Sequence, residues 1–260
     1  MDETEGAPKP KDFREPLVSI VTVSYNSEKT IRRTIESVLN QTYTNIEYRI
    51  VDGLSSDNTV AIAHEYDEAF KEKGMTYIIT SEKDNGIYDA MNKGIEDATG
   101  ELIGIINSDD CYKADAVETA VLYYNKTGFD YFYADINLVK EDGTVIIKHS
   151  RKDRFPTSRH WNHPTSFVTK ETYEELGTFK CEGIHDDFEF FLRVRKAGKK
   201  LVVVNQVLAD FNTGGVSNDK SFEKCKKRVF DRYRCYTENG YSFLYFWECV
   251  AIEAAKYILS

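Results

Sequence analysis

Apolar positions along the chain follow two alternating patterns. Leu17–Val23 is an unbroken, β-branched run, as expected of a strand buried on both faces. Ile31, Ile35, Val38 and Leu39 then recur at helical spacing, predicting a helix over about Glu28–Gln41 with Ser27 as its cap. The same alternation predicts strands Ile46–Val51, Met75–Thr80 and Leu102–Ile106. Between and after them it predicts helices Asp57–Phe70, Gly86–Thr99 (stopped by Gly100) and about Ala114–Lys126. Short apolar strands alternating with amphipathic helices define an α/β chain with a parallel sheet and right-handed crossovers.

Beyond residue 130 the pattern changes. Tyr131–Val139 and Thr144–His149 flank Glu141-Asp142-Gly143 and read as a hairpin. A strand near Ser166–Thr169, a helix near Lys170–Leu176, a helix opening at Asp186 and a strand Leu201–Asn205 follow. The most apolar late segment, Tyr241–Leu259, is interrupted by Glu248, Glu253 and Lys256, which are costly at a bilayer centre. On a helical wheel those charges and Ser242 share one narrow arc. Two readings follow. The helix packs on the body, or it lies in the plane of a membrane surface, helped by the basic run Lys224–Arg234. The polar start of the chain lacks the apolar region of a signal peptide and reads as a flexible arm over residues 1–15.

Charge refines the class. The 260 residues carry 43 acidic and 34 basic side chains, net −9, with 41% apolar content, so a disordered chain and a nucleic-acid coat are both disfavoured. The charge is divided: residues 1–147 hold 14 basic and 28 acidic side chains (net −14), and residues 148–260 hold 20 and 15 (net +5). Five scattered cysteines, with no CxxC spacing, fit a reducing cytoplasm better than a disulfide or zinc framework.

In an open parallel sheet, ligands bind beyond the carboxyl ends of the strands. Here those ends carry Ser24-Tyr25-Asn26, Asp52-Gly53, Asp84-Asn85-Gly86 and Asp109-Asp110. No GxGxxG and no GxxxxGK[ST] is present, so a ligand phosphate has no glycine cradle. The Asp109-Asp110 pair offers another route, since Mg²⁺ or Mn²⁺ held by one or two carboxylates can bridge to phosphate oxygens. A lone Asp after a strand can equally be a helix cap.

Taken together, these segments resemble family-2 glycosyltransferases of the GT-A fold. The resemblance runs through Val18–Asn26, Ser37–Tyr43, Val51–Thr59, Asp84–Ile95 and Asn107-Ser108-Asp109-Asp110, and is dense over about residues 16–215. It implies a GT-A domain over 16–218, with a nucleotide-sugar half to about 127 and an acceptor half beyond, then a helical extension over 219–260. It also implies a donor site for a nucleotide-diphosphate sugar, most commonly a UDP-sugar. Asp52 would take a hydrogen bond from the base, and Tyr25 would lie against it, with Val23, Ser24 and Asn26 in the same turn and Asp84 and Asn92 lining the pocket. Asp109 would sit near the ribose and Asp110 on the metal, Mn²⁺ or Mg²⁺. Many members carry Asp where this chain has Asn107, so Asn107 stays outside the metal set.

The run His185-Asp186-Asp187 resembles the family's Glu-Asp motif, with Asp187 in the place of the base and Asp186 replacing Glu. Asp186 and Glu189 also have the spacing of a capping box, and Glu189 and Arg193 that of an i,i+4 pair. Resemblance places His163 on the acceptor side. His160 and His163, in a loop, do not suggest a metal site. Phe211–Ser217 matches a late loop that could fold over the donor. The implied reaction is an inverting single displacement in cell-surface glycan synthesis, onto a glycan or lipid-linked glycan acceptor, by a cytoplasmic protein with possible peripheral contact with an anionic membrane. Two rival readings are a metal-dependent nucleotidyl or phosphoryl transferase and an inactive sugar-binding scaffold. The first would need a glycine- and basic-rich loop at strand one, and the second would be favoured by loss of the Asp pair or Asp187. The sequence sets no oligomeric state.

Overall fold

The computed structural model describes residues 13–213 and 222–259, with the side chains of 256–259 excluded. Most of the expected arm, the Gly214–Ser217 part of the late loop and the 218/219 boundary lie outside the described residues.

The first half follows the apolar pattern. Strand β1 (Val18–Ser24) is buried at every position and lies between β2 (Ile46–Asp52) and β4 (Leu102–Ile105), parallel to both. Strand β3 (Thr76–Ser81) pairs parallel with β2. Helix α1 (Ile31–Leu39) buries Ile31, Thr34, Ile35 and Val38 on one sheet face. Helix α4 (Ile87–Asp97) covers the other, where a Cβ on Gly94 would meet Val21 Cγ1 at 2.3 Å, so only glycine lets helix and strand approach this closely.

Several expectations are corrected. Asp57–Phe70 is two helices, α2 (Thr59–His64) and α3 (Asp67–Glu72). Tyr66 fixes the turn between them, because its hydroxyl donates to Glu36 and accepts from Arg32 on α1, while Phe70 packs against Tyr48 and Tyr77. Ser27 does not cap α1. The N-cap is Thr30, and the Ser27 hydroxyl instead meets Ser108 Oγ at 2.8 Å. Helix α4 ends at Asp97, ahead of Gly100.

A two-residue strand β5 (Cys111–Tyr112) and helix α5 (Ala116–Thr127) follow β4. Strands β6 (Tyr131–Val139) and β7 (Val145–Lys148) form the expected hairpin. Then come β8 (Phe167–Thr169), α6 (Lys170–Leu176), α7 (Asp186–Lys196) and β9. Strand β9 spans Leu201–Asn212, well past the expected end at Asn205. The polar pair Asn205-Gln206 interrupts its apolar run, which hides the rest of the strand in the sequence. Its polar side chains are satisfied within the fold, as Gln206 donates to Asp115 and Asp210 takes bonds from Lys113 and Asn137. One sheet results, ordered β3-β2-β1-β4-β8-β6-β9-β5 with β7 beside β6. It is parallel across β3-β2-β1-β4 and mixed beyond.

Helices α8 (Phe222–Glu238) and α9 (Tyr245–Leu259) form a hairpin against α7. Its polar seam is buried: Glu253 accepts from Arg228 Nε at 2.7 Å and from Arg232 at 2.9 Å, and Glu248 accepts from the Tyr236 hydroxyl. The charged arc of α9 therefore faces inward, apart from Lys256, whose side chain lies outside the described residues.

Candidate active site

Three of the four strand ends expected to share a crevice meet in hydrogen bonds at Asp52, whereas the fourth, Asp109-Asp110, is tied to Thr34 and Asn212. Asp52 is fully buried at the end of β2. Its carboxylate accepts from Ser24 Oγ (3.0 Å), Ser55 Oγ, Ser55 N (2.9 Å) and Ser81 Oγ (2.7 Å). These donors come from three adjacent strand ends, which accounts for a buried carboxylate here without a cation. A ligand base reaching Asp52 would displace a serine hydroxyl, which a rotation permits.

Beside Asp52, Gly53 lets two side chains close in. A Cβ there would lie 2.3 Å from Asp84 Oδ2 and 3.4 Å from the Tyr25 ring. Tyr25 is 66% exposed, so one ring face is open to a ligand. Asp84 accepts from Gly86 N at 2.9 Å, just before α4. Asn26 has a left-handed φ of 49° and laces the first turn to the second, donating to Ser55 Oγ and accepting from Ser56 N. Val23 is buried against the α4 side of the sheet, so only its backbone borders the turn.

Asp109 and Asp110 follow β4. Asp110 is fully buried; one oxygen accepts from Asn212 N at 3.0 Å, and Oδ2 has no hydrogen-bond partner among the described residues. Burial, then the neighbouring Asp109 charge, push its carboxyl well above the usual range, with Asn212 and Arg33 offsetting part of this. Asp109 is half-buried and is also pushed up, chiefly by burial. It lines a cleft with Thr30, Arg33, Lys140 and Asn212. No group of three or more metal-ligating side chains gathers among the described residues. The orphaned Asp110 oxygen beside a second carboxylate nonetheless fits a divalent cation whose other positions go to phosphate and water.

Asp187 lies in the first turn of α7, where the helix N-terminus favours negative charge. Its Oδ1 accepts from Phe188 N (2.8 Å) and from the Tyr88 hydroxyl (3.0 Å). Its Oδ2 faces His163 Nδ1 at 3.9 Å. The His163 side chain is largely buried, 12% exposed, and its Nε2 has no hydrogen-bond partner among the described residues. Burial lowers its pKa, partly countered by Asp187, so the ring is neutral near pH 7.

Asp186 sits apart from this group. It is fully buried, accepting from Glu182 N and Gly183 N through one oxygen and from Arg234 of α8 through the other. Its capping box with Glu189 does not form, because the N-cap is His185, whereas the Glu189–Arg193 pair does, at 3.1 Å. Asn92 exchanges two hydrogen bonds with the Phe179 backbone and thereby clamps α4 to the segment before α7. His160 bonds to Asp153.

Sequence reasoning assigned no role to Tyr88, although it stands two residues after Gly86 in the first turn of α4. It is the contact that joins the donor-side helix to Asp187. Asn212 was likewise read only as part of a loop, yet its backbone and side chain hold Asp110 and the Asp109 carbonyl.

Comparison with known proteins identifies the fold and the family. Residues 1–349 of TarS from S. aureus, solved with UDP-GlcNAc, superpose with a TM-score of 0.68 at 16% identity, covering 93% of this chain and 72% of that one. The fold is therefore the GT-A fold of glycosyltransferases. The description of glycosyl transferase family 2 matches residues 19–185, and the chain belongs to that family. The Bacillus subtilis protein named for teichuronic acid biosynthesis, TuaG, is 27% identical over 225 residues, 85% of this chain and 88% of its own length. The Escherichia coli glucosyltransferase WfgD, named for a UDP-glucose donor and a GlcNAc-diphosphoundecaprenol acceptor, is 33% identical over 129 residues, 50% of this chain and 49% of its own.

Proposed function

We propose that this glycosyltransferase moves a sugar from a nucleoside-diphosphate sugar, a UDP-sugar foremost, onto a hydroxyl of a glycan or lipid-linked glycan, with inversion. The observation that carries this is Asp187, held through Oδ1 by Tyr88 and the helix N-terminus with Oδ2 left for a substrate proton. An acceptor hydroxyl is a weak nucleophile, and a fixed carboxylate within reach takes its proton as the new C–O bond forms. Attack opposite the leaving diphosphate inverts the anomeric centre. Neutral His163 borders the same oxygen and excludes water from one side.

On the donor side, Asp52 accepts from the base, the exposed Tyr25 ring covers its face, and Asp84 and Asn26 hold the turn. Asp109 and Asp110 would hold Mn²⁺ or Mg²⁺, which when bound neutralises charge on the departing diphosphate. The named roles of TuaG and WfgD support cell-surface glycan synthesis and a lipid-diphosphate acceptor. No described helix is long and apolar enough to cross a membrane.

A thermal-shift screen of UDP-, GDP- and dTDP-sugars with Mn²⁺ tests the reading. A shift with one nucleotide class, followed by turnover that Asp187→Asn abolishes, is expected. No shift with any donor, or normal turnover in that variant, overturns it.

A further inference from the structure

The α8–α9 hairpin buries an ionic seam, Arg228–Glu253–Arg232, beside apolar Val229, Tyr236 and Ile252, and leaves several large apolar side chains exposed. Phe243 is 71% exposed, Trp247 67%, Leu244 59% and Phe230 51%. They cluster together: Phe243 and Leu244 stand in the turn just before α9, Trp247 follows in its first turn, and Phe230 of α8 packs at a tilt on Phe246, which touches Trp247. Lys226 and Lys227 lie one turn before Phe230 on the same side of α8, exposed and without an ion pair among the described residues.

We infer that this face, Phe230, Phe243, Leu244 and Trp247 bordered by Lys226 and Lys227, docks the enzyme onto an anionic lipid bilayer. Three features select that occupant. Exposed aromatic and aliphatic side chains clustered at a helix start suit the boundary between head groups and acyl chains, where Trp is favoured. The lysines supply attraction to anionic head groups. A second copy of this chain is a poorer match, because a two-fold contact centred on Phe230 would bring the lysines towards their own copies. The acidic excess lies in residues 1–147, and at physiological salt its repulsion is screened beyond about 8 Å.

The face is wired to the reaction centre. Arg234 of α8 bonds to Asp186, and Arg232 contacts His185, the residues immediately before Asp187. Docking would thus hold the candidate base at a fixed position relative to the bilayer and a lipid-diphosphate acceptor in it. That last link rests on the proposed transfer reaction, whereas the docking face does not.

Flotation of the full chain with vesicles tests this, using pure phosphatidylcholine against phosphatidylcholine with about 30% phosphatidylglycerol. The chain should float with the anionic vesicles, and high salt should release it. Replacing Lys226 and Lys227 by Glu should weaken binding about 10-fold or more and remove most of the salt dependence. Phe243→Glu with Trp247→Glu should weaken it at least ~10-fold at any salt. These side chains are exposed, so the variants should keep the wild-type melting temperature. Absence of flotation at low salt, or equal flotation by the variants, overturns the proposal. A dimer that Trp247→Glu dissociates, with no flotation, gives the face to a second copy instead. The readout uses neither donor nor acceptor, so it stands or falls separately from the assignment of Asp187.

Discussion

The Tyr88 hydroxyl donates to Asp187 Oδ1 at 3.0 Å, joining the first turn of α4 to the first turn of α7. Burial, then the charge of Asp187, raise the Tyr88 pKa far above its ordinary value, so the phenol stays a neutral donor throughout the working pH range. One residue thereby fixes the rotamer of the other. Asp187→Asn removes the proton acceptor and should lower kcat by at least ~10²-fold with donor affinity little changed. Tyr88→Phe keeps the carboxylate but frees its rotation, and should lower kcat by roughly 10-fold. Steady-state kinetics with donor binding measured separately would check both, and wild-type kcat in Tyr88→Phe would remove the orienting role.

Gly53→Ala should act on donor binding. The added methyl would overlap Asp84 Oδ2 and press on Tyr25, while the Gly53 backbone is one that alanine adopts freely. The expected result is donor affinity reduced about 10-fold and kcat changed far less, read by calorimetry and by a KM-against-kcat comparison.

The strands and helices that shape the candidate crevice were legible because their apolar runs and periodicities are strong. The ends of β1, β2 and β3 are interlinked through Asp52, while the Asp109-Asp110 end is held by Asn212 and Thr34. What escaped was long-range polar pairing. The polar Asn205-Gln206 pair masks the continuation of β9, whose Asp210 finds its partners, Lys113 and Asn137, far off in sequence. Resemblance gave Asp187 and Asp186 different roles, but the burial of Asp186 against Arg234 depends on the packing of α8 and could not be read from the sequence. The charged arc of α9 was visible on a wheel, but its inward direction depends on Arg228 and Arg232 of the neighbouring helix.

Glu47 sets an acid limit on stability. Burial alone would raise its carboxyl, but Arg49, the Ser19 hydroxyl and the Thr99 backbone and hydroxyl more than offset that and hold it at about 2. A depressed folded pKa means the unfolded chain binds the proton more tightly. The stabilisation is then full above the unfolded pKa of about 4.3 and is lost as pH falls towards 2. Glu47→Gln should cost about 2 kcal/mol at pH 7 and progressively less below pH ~4, as followed by denaturant unfolding across pH. A cost independent of pH would contradict this.

Asp110 should couple donor affinity to a divalent cation. In the wild type, a chelator should weaken calorimetric binding of a UDP-sugar by about 10-fold or more, and Mn²⁺ should restore it. Asp110→Asn should bind weakly with or without the chelator. Equal wild-type affinity in both conditions would rule out the metal role.

Asp186 and Asp187 should separate cleanly into stability and turnover. Asp186 is fully buried and satisfies two backbone N–H groups and the Arg234 guanidinium. Asp186→Ala leaves those donors and a partly buried cation without their acceptor, at a cost of about 3 kcal/mol. Thermal unfolding should show a melting temperature several degrees lower, with kcat falling only as far as α7 is displaced. Asp187→Asn keeps the side chain's size and its acceptor for Tyr88 and Phe188, so its melting temperature should stay near wild type while turnover collapses. Double-mutant cycles sharpen the contrast, because Asp186→Ala and Arg234→Ala should be strongly non-additive in stability, whereas Asp187→Asn and Arg234→Ala should add. Additivity in the first pair would mean that the Arg234 tie contributes nothing to holding the start of α7.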